Sequence, residues 1–147
     1  MEFQTPAQQA CYEKVAIWMQ ELFNKFPCAR SDFPGLGMLM GSAIVEVLIY
    51  PWEKDDAIIN TRSYVVTGAQ LDANLMHFLL RENVDMRFGA FGIDPQGDIL
   101  FEHTIVGSTC DKNELKASVV AVSEVADEYD DQIVTQWGGK RALERVR

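Results

Sequence analysis

The sequence predicts an α+β fold in the order α-β-β-β-α-β-β-α, a twisted antiparallel sheet packed with helices. Three observations carry this. Residues 86–107, MRFGAFGIDPQGDILFEHTIVG, read as two strands joined by a tight turn, with helical patterns on both sides. Residues 43–50 and 57–67 are a second pair of β-branched runs with a short polar connection, Glu53-Lys54-Asp55-Asp56, so they form another hairpin. Residues 111–137 carry the longest helical period in the chain. Helices alternating with antiparallel hairpins imply a sheet covered mainly on one face.

In chain order, Thr5 followed by Pro6 is a helix start, a capping hydroxyl and then a proline whose missing N–H costs nothing there. Cys11, Val15, Trp18, Leu22 and Phe26 lie on one face of that helix, Met19 and Phe23 widen the stripe, and Pro27 is the expected stop. Residues 28–42 are less regular: 29–33 is a short strand candidate, Pro34-Gly35 is a turn signal, and Leu36, Met38, Leu39 and Met40 fall in a glycine-interrupted apolar stretch. Pro51 closes the strand at 43–50 and Gly68 the one at 57–67.

Asp72 is the expected N-cap of a helix whose pattern covers 71–83. The hairpin then runs as strand 87–93, turn 94–98 and strand 99–106. Gly89 and Gly92 imply a close approach or a bulge on its first strand. In the last helix Leu115, Val119, Val122, Ala126, Tyr129, Ile133 and Trp137 follow at steps of 4, 3, 4, 3, 4 and 4. Asp111 and Glu114 have capping-box spacing, and Gly138-Gly139 is the stop.

A chain of 147 residues reads as one domain, large enough to bury roughly 70% of its unfolded surface. The expected division is a single domain over 1–139 and a basic tail over 140–147. The net charge is −9. Residues 1–139 hold 9 Lys and Arg against 21 Asp and Glu, whereas the last eight residues, KRALERVR, hold four basic residues and one acidic. The acidic body disfavours nucleic acid as a partner. The tail reads as a solvated, partly frayed helix or as a docking patch for an acidic partner. Three cysteines without a CxxC spacing point to a reducing compartment. No apolar run approaches a membrane span, so the expected location is the cytoplasm.

No local signature of catalysis emerges. Gly35-x-Gly37-x-x-x-Gly41 has the wrong spacing for a dinucleotide loop and precedes a strand rather than a helix. His103 and Glu102 are strand neighbours and point to opposite faces. The enzyme or sensor alternative would place a site around His103, Glu102 and Arg87. Cys110, at a helix N-terminus, is a candidate redox thiol, with the adjacent Asp111 opposing a lowered pKa. Asp127, Glu128, Asp130 and Asp131 lack calcium-loop spacing and read as a solvated face. No metal or cofactor is expected. The apolar stretch is the candidate partner-binding surface, through Phe33, Leu36, Met38 and Met40, with Trp52 joining it.

The runs LLRENVDMRFGAFGIDPQGDILFEHTIVG and CDKNELKASVVAVSEVADEYDDQIV resemble the YbjN family, of the type III secretion chaperone-like superfamily, in a cyanobacterial-type form. The carriers are Leu79-Leu80 with Arg81 and Asn83, Arg87-Phe88-Gly89, Gly97-Asp98, and Leu115 with Ala126-Asp127. The resemblance implies an α+β fold, often a homodimer. Type III chaperones hold an unfolded segment of a partner protein along apolar grooves. YbjN-like proteins are described as regulators without a known enzyme activity, so the resemblance offers no catalytic residues to carry over. The expected function is a non-enzymatic protein-binding module, chaperone-like or a regulatory adaptor, with a protein or peptide partner.

Overall fold

The structure, a computed structural model, describes residues 1–145, with side chains through Leu143. Val146 and Arg147, the end of the expected tail, lie outside the described residues. The chain opens with α1 (Pro6–Phe23), where Thr5 accepts a hydrogen bond from the Gln8 N–H at 3.0 Å and Pro6 takes the first turn. Gln8 is wholly buried, and its carboxamide donates to the Ile49 carbonyl at 2.8 Å and accepts from Gln4 N at 2.7 Å, which ties the helix to the sheet. The helix ends at Asn24, in the left-handed region with φ 50°, and not at Pro27. Phe26 therefore leaves the helical stripe and stands 83% exposed.

Among the described residues seven strands form one antiparallel sheet: β1 (Cys28–Ala29), β2 (Gly35–Met40), β3 (Ala43–Trp52), β4 (Asp56–Thr67), β5 (Ala90–Ile93), β6 (Ile99–Val106) and β7 (Lys140–Arg141). The spatial order is β1-β2-β3-β4-β6-β5, with β7 pairing β4 at Val66 and Thr67. The expected irregular stretch at 36–40 is thus a regular strand. Its glycines mark a close approach instead of a loop: a Cβ on Gly35 would lie 2.7 Å from Leu48 Cδ2 and 3.1 Å from the Val47 carbonyl. The 29–33 strand shrinks to β1. The strand expected from Arg87 begins at Ala90, because Gly89 (φ 86°) runs so close to β6 that a Cβ would lie 2.5 Å from the Glu102 carbonyl.

Two further helices, α2 (Ala73–Asp85) and α3 (Lys112–Trp137), complete the predicted order, and α4 (Ala142–Arg145) follows β7. Asp72 and Asp111 cap α2 and α3, accepting from Leu75 N at 2.8 Å and Glu114 N at 2.7 Å. Alternation sorts the strands into two faces. Val45, Val47 and Ile49 on β3, and Ile59 and Val65 on β4, are buried under Val15, Met19, Leu115, Val119, Val122 and Ile133 of the helices. A bulge between Tyr64 and Val66 lets both Val65 and Val66 turn inward. Phe91 stacks edge-on against Phe101 and Tyr129, closing the core beside α2.

The acidic run on α3 is not purely a solvated face. Asp127 accepts hydrogen bonds from the N–H and hydroxyl of Ser42, and Ser42 also donates to Asp130. The β2–β3 turn, with Gly41 at φ 61°, is thereby pinned onto α3. Asp130 is 4% exposed, and burial raises its pKa above the ordinary carboxylate value.

Candidate partner-binding surface

The second face of the sheet carries no α1–α3 layer. Cross-strand register places Leu39, Ile44 and Tyr64 at one end of it, Glu46, Arg62 and Glu102 across its middle, and Tyr50, Ile58 and Trp52 toward the other end. The polar middle is a network. Glu46 bonds both Arg30 and Arg62, Arg30 also pairs with Asp32 at 2.7 Å, and Asn60 donates to Thr104 at 2.9 Å and Glu102 at 3.3 Å. Arg62 lies over the Tyr64 ring at 5.7 Å, and the Tyr64 hydroxyl donates to Asp94 at 2.9 Å. Asp94 also accepts N–H bonds from Gln96 and Asp98. These backbone donors and the tyrosine hold its carboxyl below the ordinary range, so it stays charged at neutral pH.

Two clefts open at the Ile44 end of this face. One, of about 450 Å³, is lined by Ile44, Glu46, Tyr64, Asp94 and Asp98 with Leu143 of α4. The other, of about 560 Å³, is lined by Phe26, Cys28, Gly37, Leu39 and Ile44, again with Leu143. Ile44 and Leu143 border both, so the two clefts are neighbours and form a trough divided at these two side chains. Its walls are apolar where β2 meets residues 25–28: Phe26 is 83% and Leu39 55% exposed. One end of the trough is therefore greasy and the other acidic.

The sequence-expected partner residues separate on the fold. Leu36 is corrected: at 3% exposed it packs into the core, and Met38, 6% exposed, joins the same core while also bordering the apolar cleft, because their strand positions alternate with the open-face Gly35, Gly37 and Leu39. Met40 shares their face and packs half-buried against the core. Phe33 rests half-buried on Tyr50, ring centroids 4.8 Å apart, and Trp52 is 42% exposed, both at the far end of the open face. Phe26, Ile44 and Tyr64 were missed as surface residues. The alternation Ile44, Glu46, Leu48, Tyr50 along β3 is the signal that pointed to them, since it continues apolar residues onto a face that no helix covers.

Cys110 is corrected as well. It is 5% exposed, and burial with the Glu114 and Asp111 carboxylates pushes its thiol up to about 11, overriding the helix N-terminus. Only about one thiol in ten thousand is ionised at pH 7 under such a pKa. The other proposed constellation does not converge. His103 faces α3, its Nδ1 2.8 Å from Ser118 Oγ, while Glu102 is exposed on the opposite face and Arg87 is exposed. Burial lowers the His103 pKa below its ordinary value. The hollow beside His103, about 390 Å³ with Phe88, Ile105 and Glu114, includes Asp111, whose carboxylate already caps α3. Among the described residues no cluster of His, Cys, Asp and Glu could hold a metal, and no helix is long and apolar enough to cross a membrane.

Residues 13–145 match the family model described as "T3SS (YopN, CesT) and YbjN peptide-binding chaperone 1", TY-Chap1. The chain belongs to this family. The TY-Chap1 fold recurs in solved structures of low sequence identity. The ExsC–ExsE complex contains a chain 13% identical with a TM-score of 0.63, covering 88% of this chain and 97% of that one. The HopA1–SchA chaperone–effector complex contains one 8% identical with a TM-score of 0.67, covering 86% and 98%. At these identities the likeness shows the fold. By sequence, no curated protein matches significantly. The family agrees with the expected chaperone-like, protein-binding module, and the solved structures with the expected α+β fold.

Proposed function

We propose that this chain is a non-enzymatic holder of an unfolded partner segment, and that the segment lies in the trough on the open face of the sheet. The observation that carries the reading is the pair of adjoining clefts, one at Phe26, Leu39 and Ile44 and the other at the acidic end with Tyr64 and Asp94, on the sheet face left bare by α1 and α3. The family is one of peptide-binding chaperones, and a structural neighbour is a chaperone bound to its effector, which supports a peptide as the occupant. Phe33 and Trp52 extend the same face and would meet a longer segment at its far end. A cytoplasmic location and a regulatory role through the bound partner fit this reading.

The expected homodimer has its own support. Leu80 and Val84, one turn apart on α2, are 67% and 71% exposed. Self-association through this face would bury the apolar surface that the monomer leaves in water.

Affinity capture with the tagged chain, followed by mass spectrometry, identifies a partner, and overlapping peptides of that partner locate the segment. Leu39→Asp is expected to abolish retention, and Leu80→Asp to leave the trough competent while lowering the mass in sedimentation velocity. Retention of the mapped peptide by Leu39→Asp at wild-type strength would reject the trough as its site. A wild-type chain sedimenting as a monomer at assay concentrations would reject the dimer.

A further inference from the structure

The trough is not empty of its own chain. After α3, Gly138 (φ 75°) and Gly139 (φ 85°) turn the backbone onto the end of β4. Only glycine fits at the second position, since a Cβ there would lie 2.5 Å from the Thr67 carbonyl and 2.7 Å from Ala69 N. Lys140 and Arg141 then pair with Thr67 and Val66, and α4 sets Leu143 at the junction of the two clefts. Residues 140–145 of the stretch expected as a solvated tail are therefore laid along the surface that the proposed function assigns to a partner.

We propose that residues 140–145 are a placeholder in cis for the partner segment, and that the trough takes a segment of the same chemistry, an aliphatic side chain beside cations. This rests on the peptide-holding reading above and deepens it. Three features support it. The attachment is short and includes a two-residue ladder, with Lys140 exposed and Arg141, Ala142 and Leu143 only half-buried. The charges are complementary: Asp94 and Asp98 border the cleft beside Leu143, and residues 140–145 of an otherwise acidic chain hold three cations and one anion. Arg141 also lies 3.8 Å from Asp131 of α3, which orients the segment as it leaves the glycine turn. Finally, Leu143 lies with Ile44 between the apolar and acidic clefts, so a partner spanning both would displace it.

The test uses the full-length chain and a fluorescein-labelled octapeptide of its own last eight residues, KRALERVR, followed by anisotropy. If the tail fills the trough nine-tenths of the time, releasing it strengthens binding in trans about tenfold, because apparent affinity scales with the competent fraction. Gly139→Val is expected to show this gain by forcing the turn off Thr67. Leu143→Ser, a half-exposed position where folding is not at stake, is expected to show it too. A peptide carrying Lys140→Glu and Arg141→Glu is expected not to bind either variant. Equal affinity for wild type and both variants, no binding to any of them, or equal binding of the charge-reversed peptide would overturn the proposal. If the octapeptide fails while the captured partner peptide still binds wild type and is lost in Leu39→Asp, the tail inference falls and the peptide-holding reading stands. Loss of that reading would show instead as a partner peptide indifferent to Leu39→Asp.

Discussion

Replacing Asn83 with alanine should unzip one edge of the sheet without touching the core. Phe91 faces Phe101 across β5 and β6, and the neighbouring pair Asp94 and Asp98 is hydrogen-bonded, so Phe91 falls at a non-hydrogen-bonded position of the ladder. Its N–H and C=O therefore point away from β6. The Asn83 carboxamide meets both, accepting from Phe91 N at 2.6 Å and donating to Phe91 O at 3.3 Å. One side chain of α2 thus stands in for the missing next strand. Two hydrogen bonds of about 0.5–1.5 kcal/mol each suggest a loss of up to about 3 kcal/mol. Asn83 is half-buried, so water can re-solvate the exposed groups, and the longer bond is the weaker, which brings the expected cost to about 1–2 kcal/mol. In a chain of this size that is a fall of roughly 3–8 °C in Tm. Urea unfolding reads the global loss, and native-state hydrogen exchange reads the local one. The Phe91 amide should lose protection in Asn83→Ala and keep it in Asn83→Asp, which retains the acceptor. An unchanged Phe91 exchange rate in Asn83→Ala, with stability within about 0.5 kcal/mol of wild type, would refute the reasoning. The same bonds also bear on assembly: with this edge capped, a dimer formed at Leu80 and Val84 would join by side chains rather than by continuing the sheet.

Three other outcomes follow from the geometry. Cys28 is exposed and lines the trough while Cys11 and Cys110 are buried, so iodoacetamide should modify one thiol in the native chain, and a bound partner peptide should protect it; labelling of Cys110 at the rate of Cys28 would contradict this. His103 titrates below its ordinary 6.5 because it is partly buried; above that pH both folded and unfolded states are neutral, and as pH falls through 6.5 the unfolded chain takes the proton first. Stability should therefore decline from about pH 6.5 downward, and His103→Gln should flatten that part of the curve in denaturant titrations at stepped pH. Asp111→Ala removes the cap on α3 and should cost about 1 kcal/mol by urea denaturation.

The fold was legible where local chemistry and tertiary packing agree. Asp111, the seven-residue stripe from Leu115 to Trp137 and Gly138 specify α3 almost to the residue, and the β-branched runs specify β3 and β4. The misreadings share a cause. Gly35 reads locally as turn punctuation, yet it is fixed by a long-range neighbour, Leu48; the close approach expected at Gly89 is met by the Glu102 carbonyl, but it stops the strand there and does not lie within it. Leu36 and Met38 looked like a free apolar surface for the same reason: with β2 unrecognised, nothing told which of five adjacent residues faced the helices. Asp127 and Asp130 read as solvent charges because their partner, Ser42, is 85 residues away in the chain from Asp127. Local spacing cannot report such meetings. Trough residues were half visible, Leu39 by its apolar neighbourhood and Ile44 by its strand, but their adjacency to Phe26 and Leu143 is a product of the closed sheet.

A protein that holds apolar segments faces a conflict, because a greasy surface awaiting a partner also invites self-association. Several features of this chain bear on that conflict at once. The excess of 21 acidic over 9 basic residues in 1–139 makes copies repel one another. The middle of the open face is not apolar at all but crossed by the Arg30–Glu46–Arg62 network, which divides the exposed hydrophobic area into two small ends. If a segment lies there as proposed, charge would also set its direction: entering from Phe26 it would meet Asp94 and Asp98 beyond Ile44, since Arg30 and Arg62 are paired with Glu46 while Asp94 is held ionised by neutral donors. A partner with cations past its apolar residue gains on both halves, and one with anions there loses what its apolar contact wins. Selection among unfolded segments, which present similar hydrophobic content, would then rest on the acidic half of the trough, and raising ionic strength should weaken binding while eroding the preference among partners.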